Sequence, residues 1–212
     1  MNPLTVTWPP ILYTNYGHKN FKNWISSGNL TNISARRDEG TMIKLTKLAV
    51  MNLMHPFQTF MLGQKNYPIQ IALKKKIPLV FYGENEAEHG NPIADNNTSL
   101  RDKSYFSYKN IDSIYLGGTS LKDLYNKHRI KKKNLDIFMP PKYEEIREEK
   151  IEVHYLGYYL NWVPQEAYYY AVENCGFTPR PFRTQGTYSK YNSIDDKIDD
   201  LHYYTTYTKF GI

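Results

Sequence analysis

Hydrophobic positions along the chain change their period several times, and each change marks a boundary. The first run, Leu4-Thr5-Val6-Thr7-Trp8, is apolar and β-branched and is stopped by Pro9-Pro10, which predicts a short buried strand. Residues 19–27 then place Phe21, Trp24 and Ile25 on one helical face, and residues 30–34 return to a strand-like pattern. Over residues 42–54 the apolar positions Leu45, Leu48, Ala49 and Leu53 follow helical spacing, the mark of an amphipathic helix that Pro56 ends or kinks. A second helical piece runs from Pro56 to near Gly63, and a third covers residues 69–76. The strongest strand signal follows: Ile77-Pro78-Leu79-Val80-Phe81-Tyr82-Gly83 is apolar throughout and short, as expected of a strand covered on both faces.

Residues 84–109 are polar and Asn-rich, longer than a structural connection needs, and read as a functional or mobile loop. Gly117-Gly118 precedes Thr119-Ser120 and a helix to about His128, whereas residues 131–150 are charged and broken at Pro140-Pro141. Residues 151–160 are aromatic and β-branched, and Pro164 opens a helix to Gly176. After a loop-like stretch, Ser193 is the expected cap of a final helix whose least polar stripe is Ile194, Ile198, Leu201 and Thr205. The alternation of strands and helices, with no internal repeat, predicts an α/β fold with a mostly parallel sheet. Ligands of such sheets sit beyond the carboxyl ends of the strands, which directs attention to Thr7-Trp8 and to Gly83-Glu84-Asn85.

Composition narrows the class. With 212 residues, 41% hydrophobic and 23% charged, the chain can build a core and is expected to form one domain. No apolar run reaches the ~20 residues that span a bilayer, and the first ten residues lack the basic-then-apolar order of a secretory signal, so a cytoplasmic protein is expected. A single cysteine, Cys175, excludes an internal disulfide and a Cys-pair zinc site; it reads as a small apolar residue at a helix end, with a nucleophile as the alternative. The net charge of +6 favours an anionic partner, although Lys74-Lys75-Lys76 and Lys131-Lys132-Lys133 read as exposed helix ends. No stripe of alternating aromatic and basic residues points to nucleic acid.

Several segments carry candidate chemistry. Glu84, Glu86, Glu88 and His89, with Gly83 and Gly90, directly follow a buried strand; a carboxylate pair there can hold Mg²⁺, or the segment is a solvated loop. Gly117-Gly118-Thr119-Ser120 at a helix start resembles a phosphate cradle, but Ser120 with Asp123 also reads as a plain capping box. In the final helix Asp195, Asp199 and His202 fall on one face, placed for a metal or a cationic ligand, or simply to complement the helix dipole. Residues 185–192 supply hydroxyls, an amide and a lysine, the donor inventory used for sugars and phosphates.

The runs Leu4-Thr5-Val6-Thr7-Trp8, His55-Pro56-Phe57-Gln58, Pro78-Leu79-Val80-Phe81-Tyr82-Gly83-Glu84-Asn85-Glu86-Ala87-Glu88, Val153-His154-Tyr155-Leu156-Gly157-Tyr158-Tyr159 and residues 186–209 together resemble the N-acetyl sugar amidotransferases of the pseudaminic-acid and O-antigen pathways. The resemblance covers essentially the whole chain. It implies a PP-loop ATP pyrophosphatase on a HUP-type α/β fold, in which ATP adenylates the oxygen of a sugar N-acetyl group. Ammonia from a separate glutaminase subunit then displaces AMP to leave an acetamidino group, and such products decorate flagellin or lipopolysaccharide. The implied cofactors are ATP and Mg²⁺, and the implied partners are the N-acetyl sugar, free or nucleotide-activated, and the glutaminase, with neither nucleic acid nor membrane. Residue by residue, the resemblance sets Thr7 and Trp8 beside the adenine, turns Gly83, Glu84, Asn85 and Glu88 to the nucleotide, and gives Arg183, Tyr188 and Lys190 to substrate or phosphate; it assigns no protein metal ligand. The family's Ser-Gly-Gly-x-Asp-Ser phosphate loop occurs nowhere in the sequence, nor does its cysteine cluster. The chain is therefore expected to be truncated relative to the family at both ends and not to turn over ATP alone. The alternative is a non-catalytic sugar-binding or glutaminase-docking protein.

Overall fold

Residues Leu4–Thr7 form strand β1, and after helix α1 (Asn15–Ser27) the chain returns as β2 (Thr31–Ser34), paired in parallel with β1 from Leu4↔Thr31 to Thr7↔Ser34. Thr14 caps α1 by accepting from the Gly17 amide at 2.9 Å. In this computed structural model, which describes residues 3–83, 98–161 and 163–211, α2 (Glu39–Leu53) and α3 (Gln58–Lys75) follow before β3 (Leu79–Tyr82). Asp38 caps α2 through the Thr41 amide, and Met54 closes it in the left-handed conformation at φ 50°.

A tight hairpin, β4 (Tyr115–Leu116) and β5 (Thr119–Ser120), leads into three short helices, α4 (Leu121–Asn126), α5 (Lys132–Leu135) and α6 (Tyr143–Glu148). Strand β6 (Glu152–Tyr155) then pairs in parallel with β3, from Leu79↔Glu152 to Tyr82↔Tyr155, and α7 (Pro164–Cys175) and α8 (Asp199–Phe210) complete the order. The architecture is mixed α/β, and among the described residues its parallel strands form two separate pairs, β1–β2 and β3–β6, where one sheet was expected.

Helix α3 joins the two halves. Its Phe60, Leu62 and Tyr67 pack on a core of Trp8, Met42, Leu45, Leu116, Leu124 and Phe138, while its Ile69 and Ala72 belong to a second core with Phe106, Ile146, Ile151 and Val153. Full burial of one such Leu or Ile side chain contributes about 1.5–3 kcal/mol.

Four local expectations need correction. Helix α3 is continuous through Gly63 and Pro68, where two helical pieces were expected. Strand β3 turns Val80 and Tyr82 inward but leaves Leu79 and Phe81 46% and 49% exposed, so only one face is covered. Gly117-Gly118 is the turn of a β-hairpin, with φ of 60° and 69°, the geometry of a two-residue turn that favours glycine. Ser120 caps only the six-residue α4 through the Asp123 amide. Lastly, Ser193 does not cap α8, which begins six residues later; its hydroxyl pairs with that of Tyr203 at 2.9 Å. No helix among the described residues is long and apolar enough to cross a membrane.

Candidate functional site

The carboxyl ends of β1 and β3 both meet the middle of α3. Trp8, directly after β1, packs against Gly63, where an added Cβ would come within 2.0 Å of the indole ring. Tyr82, the last residue of β3, donates its hydroxyl to the Lys65 carbonyl. Beside the end of β3 opens a cleft of about 690 Å³ with two unlike walls. One wall is aromatic: Tyr82 stacks on Phe106 with ring centres 5.6 Å apart and on Tyr155 at 5.7 Å, and the Lys65 ammonium sits 3.4 Å from the centre of the Tyr105 ring. The other wall carries Asp195, Asp196, Asp199 and His202, with His55 and Phe57 at its edge.

The acidic wall is held in place by the loop that follows β1. The Ile11 and Leu12 amides both donate to the Asp196 carboxylate, the Thr14 amide donates to the Asp195 carbonyl at 3.0 Å, and the Lys197 amide donates to the Leu12 carbonyl at 2.9 Å. The Thr14 hydroxyl donates to the Ile194 carbonyl. A Cβ on Gly17 would meet the Asp195 Cα at 2.5 Å, so the backbone of this segment rests directly on α1. Asp196 also accepts from the Ile198 amide at 3.0 Å, which leaves it a structural carboxylate with both oxygens in use.

Asp199 is in a different position. It is nine-tenths buried, and its Oδ2 has no hydrogen-bond partner. Burial foremost, then the negative charges of Asp195 and Asp196, push its pKa up to about 7, with Arg180 opposing weakly. Asp195 is also raised, chiefly by its crowded surroundings, although its own surface stays open to solvent and tempers that push. His55 and His202 stack with ring centres 5.1 Å apart, and Phe57 packs edge-on against His202. Burial lowers both imidazole pKa values, aided at His55 by the charges of His202 and Lys209, so both are neutral at pH 7. Among the described residues no three His, Cys, Asp or Glu side chains are placed to share a metal ion.

The structure brings some of the sequence-predicted residues together here and leaves others apart. Asp195, Asp199 and His202 share the cleft, although Asp195 precedes α8 and so does not lie on its helical face. Trp8 is a core residue, 7% exposed, packed on Tyr67 and Phe138. The hydroxyl of Thr7 accepts from the Asn32 side chain, and Gly83 is exposed at the end of β3. Glu84, Asn85 and Glu88 lie outside the described residues. Arg183 and Tyr188 line a separate depression formed by residues 182–188, and the exposed Lys190 offers its carbonyl to the Arg180 amide. Reasoning from the residues alone gave no site role to His55, although its run with Pro56 was among the family-like ones; a histidine just past a helix end carries no periodic signal. No protein-family model and no curated protein matches the chain.

Proposed function

We propose that this chain is the sugar-handling part of an ATP-dependent amidotransferase that converts a sugar N-acetyl group to an acetamidino group, on a HUP-type scaffold. The observation that supports this reading is the two-walled cleft at the carboxyl ends of β3 and β6, where α/β folds take their ligands. Aromatic faces such as Tyr82 and Tyr155 suit the apolar face of a pyranose, and carboxylates opposite them accept hydrogen bonds from its hydroxyls. In the reaction the amide oxygen attacks the α-phosphorus of ATP and pyrophosphate leaves. Ammonia then adds to the activated carbon, AMP departs with the former amide oxygen, and a proton is lost. The described residues do not form a Mg²⁺ cage, and such an ion commonly arrives on the nucleotide's own phosphates.

Two measurements test the reading. Titration of the chain with UDP-linked N-acetyl sugars is expected to show binding that Tyr82→Ala weakens by about tenfold, the loss of one stacking face. Release of AMP and pyrophosphate is expected only from a version fused ahead of Leu4 to a family strand and phosphate loop. Preorganised donors of that kind account for ~3 kcal/mol of barrier each. Absence of sugar binding, or equal AMP release with and without the fusion, would overturn it. Sugar binding by a fusion that stays inert would favour the non-catalytic alternative.

A further inference from the structure

Along β6 the alternation of side chains sends Val153 into the second core and turns Glu152 and His154 to the opposite face, in register with the half-exposed Leu79 and Phe81 of β3. A tight turn, Leu156–Tyr158, then folds the chain back, and the Tyr159 amide donates to the Leu156 carbonyl at 3.0 Å. This returns Tyr159 over the outer face of the strand pair. Its hydroxyl lies 2.7 Å from Nδ1 of His154, and its ring stands edge-on to Phe81 with centres 5.9 Å apart. On the far side of the imidazole, Nε2 faces Glu152 Oε2 at 3.6 Å. A carboxylate can only accept, so it favours the tautomer with the proton on Nε2, which leaves Nδ1 to accept from the tyrosine hydroxyl. Carboxylate, imidazole and phenol are thus ordered to take a proton off the phenol. The contact lies at the surface, with Tyr159 51% exposed, and none of the three residues lines the cleft described above.

We infer that Tyr159 is a nucleophile toward activated carboxylic esters, with His154 as its base and Glu152 as a positioning residue. The Tyr159 oxygen bonds to the ester carbonyl carbon as its proton passes to Nδ1 of His154. The tetrahedral centre then expels the alcohol part as an anion, which takes that proton from the imidazolium and leaves the acyl group as an ester on Tyr159. Attacking and departing oxygens compete, so the leaving group must be a weaker base than tyrosinate, as an electron-poor phenol is. The Glu152 charge steadies the imidazolium while it holds the proton. Phe81 and Tyr158, both half-exposed, stand edge-on to the Tyr159 ring and offer apolar surface that suits an aromatic acyl group. The inference does not rest on the amidotransferase reading, and its test uses neither ATP nor a sugar, so the two fail separately.

The test treats the whole chain with para-nitrophenyl benzoate or para-nitrophenyl acetate and times the modification of each tyrosine by peptide mass spectrometry. Tyr188, 94% exposed, and Tyr170, 65% exposed, are controls within the same chain, both more open than Tyr159. Expected is acylation of Tyr159 about tenfold faster than of either control, or more, with a higher benzoate-to-acetate ratio at Tyr159. His154→Gln is expected to bring Tyr159 down to the control rate. As pH is raised, the Tyr159 rate in the parent levels off once His154 has lost its proton, whereas the control rates keep rising toward phenol ionisation. Glu152 and Tyr159 are the titratable side chains that meet the imidazole. Glu152→Gln removes the charge that favours the imidazolium and is expected to move the plateau to lower pH, which a loss of packing would not do. Acylation of Tyr159 no faster than of the controls, or an unchanged rate in folded His154→Gln, overturns the inference. If that variant does not fold, the rate ratio and the plateau in the unmodified chain decide alone.

Discussion

Leaving a buried acceptor unpaired costs about 1–3 kcal/mol, and Asp199 carries that cost with a charge added. Its folded pKa of about 7 lies above the 3.8 of an unperturbed Asp, so the folded state holds the proton more tightly than the unfolded one. Between those values stability therefore falls as pH rises, and the loss is complete above pH 7. Asp199→Asn removes it. The stability of that variant relative to the parent is expected to climb from about pH 4 to pH 7 and then level off, by ~4 kcal/mol at most, measured by urea unfolding at a series of pH values. His55 and His202, with lowered pKa values, act in the opposite sense: their neutral forms favour the fold above the ordinary imidazole range and lose that advantage as pH falls through it. The difference between parent and variant isolates the aspartate from this effect. At Gly63 the constraint is steric. Any side chain there enters the Trp8 ring, so Gly63→Ala is expected to lower stability by about 1–3 kcal/mol, read as a reduced urea midpoint at unchanged slope.

Helix α3 shows where the hydrophobic pattern stops being legible. A helix packed between two cores buries residues around much of its girth, here Thr59, Gly63, Asn66, Ile69, Ile71 and Ala72, so no single apolar stripe survives. Two of those are polar: Asn66, for instance, is buried because its amide donates to the Phe138 carbonyl at 2.8 Å. Gly63 and Pro68 then read as breaks when they are interior positions. Helix α2, with one buried face, was legible to within three residues at its start and one at its end, and β1, β3 and β6 were found as strands. The pairing of β3 with β6 was not, because the residues between them carry no sign of which strand receives which. Pro68 has no amide hydrogen to offer the preceding helical turn, and Pro68→Ala supplies one while making the unfolded chain more flexible. A net gain of about 1–2 kcal/mol in unfolding free energy is expected.

For the molecule as a whole, α3 packs into both cores, and the two are expected to unfold as one cooperative unit. Ile69→Ala empties a fully buried position in the second core and is expected to cost 2–5 kcal/mol, roughly. Trp8 reports on the first core, and in a background with Trp24 and Trp162 replaced by Phe its fluorescence midpoint should fall together with that of the far-UV circular dichroism. Separate midpoints would mean that the cores unfold independently. The acidic side of the cleft was partly legible, since Asp195, Asp199 and His202 stood out as an unexplained polar group, but the fold assembles it from residues far apart in the chain. The Thr14 hydroxyl and the Ile194 carbonyl that fasten it are 180 positions apart. During synthesis at about 5–20 residues per second, the loop after β1 therefore waits on the order of ten seconds for its partner to be made. The acidic wall is the last piece of the cleft to come into being, and the nascent chain carries an open, unfinished pocket until residues 195–202 have been added.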